Sequence, residues 1–170
     1  MKHILPILTI TTLAAAASAQ SAAASSGLSY NRVGLGYNTD SKGYSLSASA
    51  LIGSSNFLVA AGTTIGGSAT TNGNDSVSLG YVFKNVALGA DATVSVGSNE
   101  SYGLNVRKDL GNNIELAVSY SRTSSDNNVW GAELAYNVSK QIQLAVGYSD
   151  SNAAGAAGDG QTSLAVRYNF

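Results

Sequence analysis

The feature that most constrains this chain is an apolar/polar alternation of period two, running from residue 28 to the C-terminus with no stretch of helical period. In Tyr44, Leu46, Ala48, Ala50 and Ile52 every second residue is apolar, and Ser45, Ser47 and Ser49 lie between them. Period two belongs to the β-strand, whose successive side chains point to opposite faces. The pattern recurs over 57–65, 77–83, 86–96, 102–106, 114–120, 130–138, 142–148 and 164–170. A weaker first segment (Val33, Leu35, Tyr37) follows Leu28 and Tyr30, which sit on the opposite parity. That switch predicts a bulge or a late strand start. The expected fold is therefore all-β, with ten strands and eight as the alternative count.

The connections predict how the strands are arranged. Short ones fall at 53–56, 84–85, 111–113 and 139–141, and longer ones at 38–43, 66–75, 97–100, 123–128 and 149–160. Short and long connections in alternation give an antiparallel up-and-down array with turns on one rim and loops on the other, the layout of a transmembrane β-barrel. An even number of strands leaves both termini on the turn side. Strands of about 9–11 residues cross the hydrocarbon when tilted, and these segments are close to that length.

Aromatic placement adds a second constraint. Of nine Tyr, three Phe and one Trp, all except Tyr30 fall on the apolar parity, most of them near a strand end. Tyr37, Tyr44, Tyr102, Tyr120, Trp130 and Tyr148 lie beside the long loops; Phe57, Tyr81, Phe83, Tyr136, Tyr168 and Phe170 lie nearer the short turns. Two aromatic girdles around a Leu/Val/Ala/Ile belt mark the two interfaces of a bilayer. A soluble antiparallel sandwich also alternates, but its surface carries about 25–35% charged residues. Here the whole chain is 11% charged and the polar parity is mostly Ser, Ala, Gly and Thr. Barrel closure also pairs every backbone group, which lipid requires.

The N-terminus reads as an export address. Lys2 supplies a positive start, an apolar run follows to Ala17, and Ala17-Ser18-Ala19 is a small-x-small cleavage site. Residues 1–19 are expected to be removed, with cleavage after Ala24 as the other position, leaving a short segment 20–27 and a barrel over 28–170. These features, with the terminal Leu164-Ala165-Val166-Arg167-Tyr168-Asn169-Phe170, resemble the small bacterial outer-membrane β-barrel proteins of the OmpA/OmpX and porin-like type. The resemblance covers the mature chain and is architectural. It implies residence in the bacterial outer membrane among lipid and lipopolysaccharide. It also implies that Tyr168 and Phe170 form the terminal signal read by the barrel-assembly machinery.

The polar parity faces the lumen and carries few charges: Arg32, Asp91, Arg107, Glu115, Glu133 and Arg167. Pairing strand ends across the connections, with Val96 opposite Tyr102, Leu110 opposite Ile114 and Tyr120 opposite Trp130, places Asp91, Arg107, Ala117 and Glu133 in one row. With strands about 4.8 Å apart, Arg107 is expected to reach Asp91 directly and Glu133 over the Ala117 methyl. Arg32 and Arg167 are expected to line the turn-side mouth. A lumen charge cluster in a ten-strand barrel lined by small residues predicts a narrow passive channel for water and small ions, or a structural barrel, because wide aqueous pores need about 16–18 strands.

Other functions find less support. The loop rim carries Asp40, Asp75, Glu100, Asp126, Asp150 and Asp159 against Lys42 and Arg122, and the turn rim carries Lys84, Lys108 and Lys140 with Asp109. Such acidic loops attract cations, but solvated loops are polar in any case. Surface adhesion through loops 66–75 and 150–160 is the alternative function, although they lack the aromatic and arginine anchors of most interfaces. With no Cys, and His3 removed with the leader, the mature chain has no thiolate or imidazole. No catalysis, cofactor or metal site is therefore expected. A net charge of −1 leaves no footprint for nucleic acid.

Overall fold

In the computed structural model of the chain, which describes residues 27–67, 75–122, 127–152 and 160–170, the alternating segments form ten strands. They are β1 (Arg32–Asn38), β2 (Tyr44–Leu51), β3 (Phe57–Ile65), β4 (Ser76–Ala87), β5 (Ala90–Gly97), β6 (Ser101–Gly111), β7 (Ile114–Arg122), β8 (Asn128–Asn137), β9 (Ile142–Ser151) and β10 (Gln161–Asn169). Each strand pairs antiparallel with its sequence neighbours, and β1 closes on β10 through pairs such as Leu35↔Val166. The count is ten, not eight. Closure leaves no unpaired sheet edge among these strands, which a chain in hydrocarbon cannot tolerate.

Burial runs opposite to that of a soluble protein. Leu104, Val118, Leu144 and Val166 are 44–51% exposed, whereas Asp91, Glu115 and Gln143 are at most 2% exposed. The apolar parity faces outward and the polar parity inward, as a lipid-facing barrel requires. The twelve aromatics expected in the girdles stand on the outward parity, and some of those that are neighbours touch. Tyr37–Tyr44 and Trp130–Tyr148 pair on the loop side at 5.1 and 5.7 Å between ring centroids. On the turn side Tyr81 packs edge-on with Phe57 at 5.2 Å and Phe83 at 4.9 Å, and Tyr168 stacks on Phe170 at 6.5 Å. Ala48 and Ala61 lie buried between the larger outward neighbours Val33 and Leu46.

Three local expectations are corrected. The parity change between Phe83 and Val86 is a β-bulge inside β4, not a turn at 84–85. Asn85 adopts φ 54°, the register shifts between Phe83 and Ala87, and the chain reverses at Leu88-Gly89. Three residues of β4 stand between those pairs against one of β5, so the bulge takes up two extra residues and leaves Ala87 on the same parity as Phe83. Leu110 likewise does not oppose Ile114, because the ladder shifts between Asp109 and Gly111 and the reversal falls on Asn112-Asn113 at φ 53° and 65°. Short Asn/Gly reversals with positive φ match the twist of the strands they join. The connection at 97–100 narrows to 98–100 and falls within the range of the turn rim, shorter than 52–56 and 138–141. The parity conflict at Leu28 and Tyr30 is a late strand start: β1 begins at Arg32. The leader 1–19, the acids Asp126 and Asp159, and most of loops 66–75 and 150–160 lie outside the described residues.

Candidate functional site

The loop-side half of the lumen is lined by glycine and serine facing each other across strands. Gly34 opposes Ser47, Gly80 opposes Ser95, Gly131 opposes Ser119, and Gly147 opposes Ser163. These small groups leave open space in a ring of ten strands. Two cavities of about 200 Å³ each occupy it, sharing Arg32 and Asn105 in their walls. A larger space of about 490 Å³ opens at the turn side, bordered by Asp109, Asn112, Glu115, Asn137, Lys140 and Asn169.

Between these spaces the lumen is filled. The register opposes Asp91 to Arg107, Arg107 to Ala117 and Ala117 to Glu133, so four adjacent strands present one inward row. The register keeps Arg107 opposite Asp91 as expected, but its second carboxylate is Glu115 and not Glu133. Arg107 Nε donates to Glu115 Oε1 at 2.6 Å, with both side chains at most 4% exposed. Glu133 is held by Arg167, whose Nη1 donates to Oε1 at 2.6 Å and whose Nη2 donates to Oε2 at 2.5 Å. This two-pronged geometry suits a guanidinium on a carboxylate. Glu115 is diagonal to Arg107 on the adjacent strand and is its nearer carboxylate, whereas Glu133 lies two strands from Arg107 and two strands from Arg167, which holds it across β9.

Gln143, 2% exposed, joins the two ion pairs. Its Nε2 donates to Glu115 Oε2 and Asn137 Oδ1, each at 3.0 Å, while its Oε1 accepts from Arg167 Nη1 at 3.1 Å. Asp91 accepts from the Tyr30 hydroxyl and from the Asn85 N–H of the β4 bulge, both at 2.8 Å. Burial first, then the Asp91 carboxylate, holds the phenol of Tyr30, which lies ahead of β1, above its ordinary value. It therefore remains a donor. Arg32 and Arg167 do not simply line the mouth: Arg167 is locked into the network, and Arg32 borders both loop-side cavities within electrostatic reach of Arg107, Arg167, Glu115 and Glu133. The turn-side space itself is bordered by Asp109, Asn112 and Lys140, and not by Arg32 or Arg167.

Within the network Arg32, Arg107 and Arg167 stand against Asp91, Glu115 and Glu133, and Asp109, opposite Glu115, adds a further carboxylate at the turn-side mouth. Sequence reasoning missed Gln143, Ser29 and Tyr30. Gln143 opposes Arg167 on the polar parity, a long side chain among small ones. Tyr30 was flagged only by standing off the aromatic parity.

No family model matches this chain, and no curated protein does. Solved structures do resemble it. The KdgM porin, determined in complex with disordered oligogalacturonate, superposes with a TM-score of 0.53 at 14% identity, covering 82% of this chain and 99% of that one. The NanC porin gives 0.45 at 11% identity over 82% and 98% of the two chains. Omp33 of Acinetobacter baumannii gives 0.36 at 12% identity over 85% and 100%. The KdgM likeness places the fold with the porin-like β-barrels.

Proposed function

We propose that this chain is an integral β-barrel of the bacterial outer membrane, exported by its N-terminal leader. Its lumen is a narrow passive path for water and small ions, throttled at one level by Asp91, Arg107, Glu115, Glu133, Arg32 and Arg167. The observation that carries this reading is the position of the Arg107–Glu115 pair. Glu115 borders the turn-side space and Arg107 borders a loop-side cavity, so this pair stands between two wet compartments. Small apertures lined by paired charges pass water and ions and stop sugars. Tyr168 and Phe170, outward at the end of the closing strand, are the terminal signal offered to the assembly machinery.

The test is single-channel recording of the refolded barrel in a planar bilayer, beside Arg107→Ala. Small discrete openings that enlarge or lose their gating in the variant are expected. A barrel silent in both forms refutes the channel and moves the function to a structural role or to binding by the loops.

A further inference from the structure

Residues 28–30 precede β1 and cross the lumen instead of joining the sheet. On one wall, a Cβ placed on Gly27 would lie 2.6 Å from Asp109 Oδ2 of β6, and the Ser29 carbonyl accepts from Arg107 Nη1 of β6 at 2.9 Å. The chain then enters β1, half-way round the ring from β6. In between, the Arg107 guanidinium lies 4.8 Å over the Tyr30 ring, and the hydroxyl of that ring donates to Asp91 of β5. Ser49 Oγ donates to the Tyr30 carbonyl at 2.8 Å.

The wall beneath the crossing is shaped for it. Leu51, Leu58 and Val82 are large apolar side chains on an otherwise polar lumen face, and they gather under Leu28 and Tyr30. Leu28 is 2% exposed and Val82 is fully buried. An apolar patch inside a water-lined lumen costs free energy unless something covers it, and the chain's own segment is what covers it here.

We propose that residues 28–31 are a tethered ligand of the lumen: a stopper seated on Leu51, Leu58 and Val82, latched by Arg107 and Asp91, and released as a unit to open the turn-side end. The stopper rests on the channel reading for its purpose but not for its existence. Arg107 serves both as septum and as latch, so loss of its contacts to Ser29 and Tyr30 couples release of the segment to widening of the path.

The chain contains no cysteine, so introduced thiols report cleanly. In Leu28→Cys/Val82→Cys, oxidation is expected to cross-link the pair and hold conductance at its lowest level, and a reductant is expected to restore openings. A cross-linked barrel that conducts as the reduced one does overturns the stopper as a gate, and failure to cross-link overturns its seat. A readout independent of conduction is labelling of single Leu28→Cys by a water-soluble maleimide. Adding Tyr30→Phe should speed labelling by about tenfold, the effect of losing one hydrogen bond to a charged group. Faster labelling in a barrel that never conducts keeps the stopper and removes the channel. Equal labelling rates with and without Tyr30→Phe overturn the latch.

Discussion

Glu115→Gln takes one charge out of the septum while nearly keeping its shape, and leaves Arg107 facing an amide. The two side chains are 4% and 3% exposed and 2.6 Å apart at Nε and Oε1, so solvent relieves little of the lost interaction. At an effective dielectric of about 20 and a charge separation of about 4 Å, the Coulomb attraction is about 4 kcal/mol. Removing one partner of a buried pair costs about 3–5 kcal/mol in direct measurements on other proteins. Arg107 keeps Asp91 opposite it and the Ser29 carbonyl, which places the expected loss at the lower end, about 3 kcal/mol. Glu133→Gln is the internal control. Its pair is 13% and 24% exposed, so screening lowers the expected cost to about 1–2 kcal/mol. Trp130 is the single tryptophan, and its fluorescence during urea unfolding from lipid vesicles reports both variants. The reasoning is refuted if Glu133→Gln costs as much as Glu115→Gln, or if Glu115→Gln unfolds within about 0.5 kcal/mol of the parent, the range of an inert surface change.

Other perturbations probe the turn, the belt and the terminus. Leu88 holds φ 52° in the two-residue reversal and is 88% exposed. Leu88→Asn should stabilise the barrel by about 1 kcal/mol in the same unfolding assay, because Asn accepts the left-handed conformation and Asn-Gly suits the turn. Val118 stands outward at the centre of β7, 51% exposed. Val118→Arg should cost about 2–4 kcal/mol in vesicles, while an arginine at Tyr120, nearer the interface, should cost about 0–1 kcal/mol. Phe170 stacks on Tyr168, and its N–H donates to the Asn31 carbonyl at 3.1 Å. Deleting Phe170 should lower the amount of folded barrel in cells severalfold, read by heat-modifiable gel mobility, while the refolded variant loses no more than about 1 kcal/mol. Normal assembly in cells would remove the terminal-signal reading.

The wall of the barrel was legible because one face of every strand meets a different solvent from the other, and a two-residue period records that directly. The girdles were legible for a related reason: aromatic side chains concentrate at the interfaces, where an apolar body and a polar tip are both accommodated. The bulge in β4 was not. The apolar pattern changes parity between Phe83 and Val86, which reads equally as a turn or as an insertion within the strand, and the strand takes up two extra residues there before running on to Ala87. Only the ladder, with Phe83 on Ala92 and Ala87 on Ala90, separates the two. Asn85 was the available cue, but Asn favours turns and bulges alike, because both use positive φ.

The lumen divides in the same way between what backbone period dictates and what side-chain length decides. The inward row Asp91, Arg107, Ala117 and Glu133 follows from counting residues between strand ends, since antiparallel pairing fixes which Cα atoms face one another. Which carboxylate an arginine binds does not follow from that row. A diagonal neighbour on the adjacent strand lies about 7–8 Å away and within reach of a long side chain, whereas two strands over is about 9.6 Å at a spacing of about 4.8 Å. Glu115 is therefore the shorter reach for Arg107. Glu133 pairs with Arg167 although that residue also lies two strands away, on β10, and Gln143 on the strand between them braces the guanidinium. The stopper lay further from view, because Leu28, Tyr30, Leu51, Leu58 and Val82 each break the local pattern alone. Their exceptions cancel only when the chain ahead of β1 is brought inside the ring, where five misplaced apolar side chains become one covered patch.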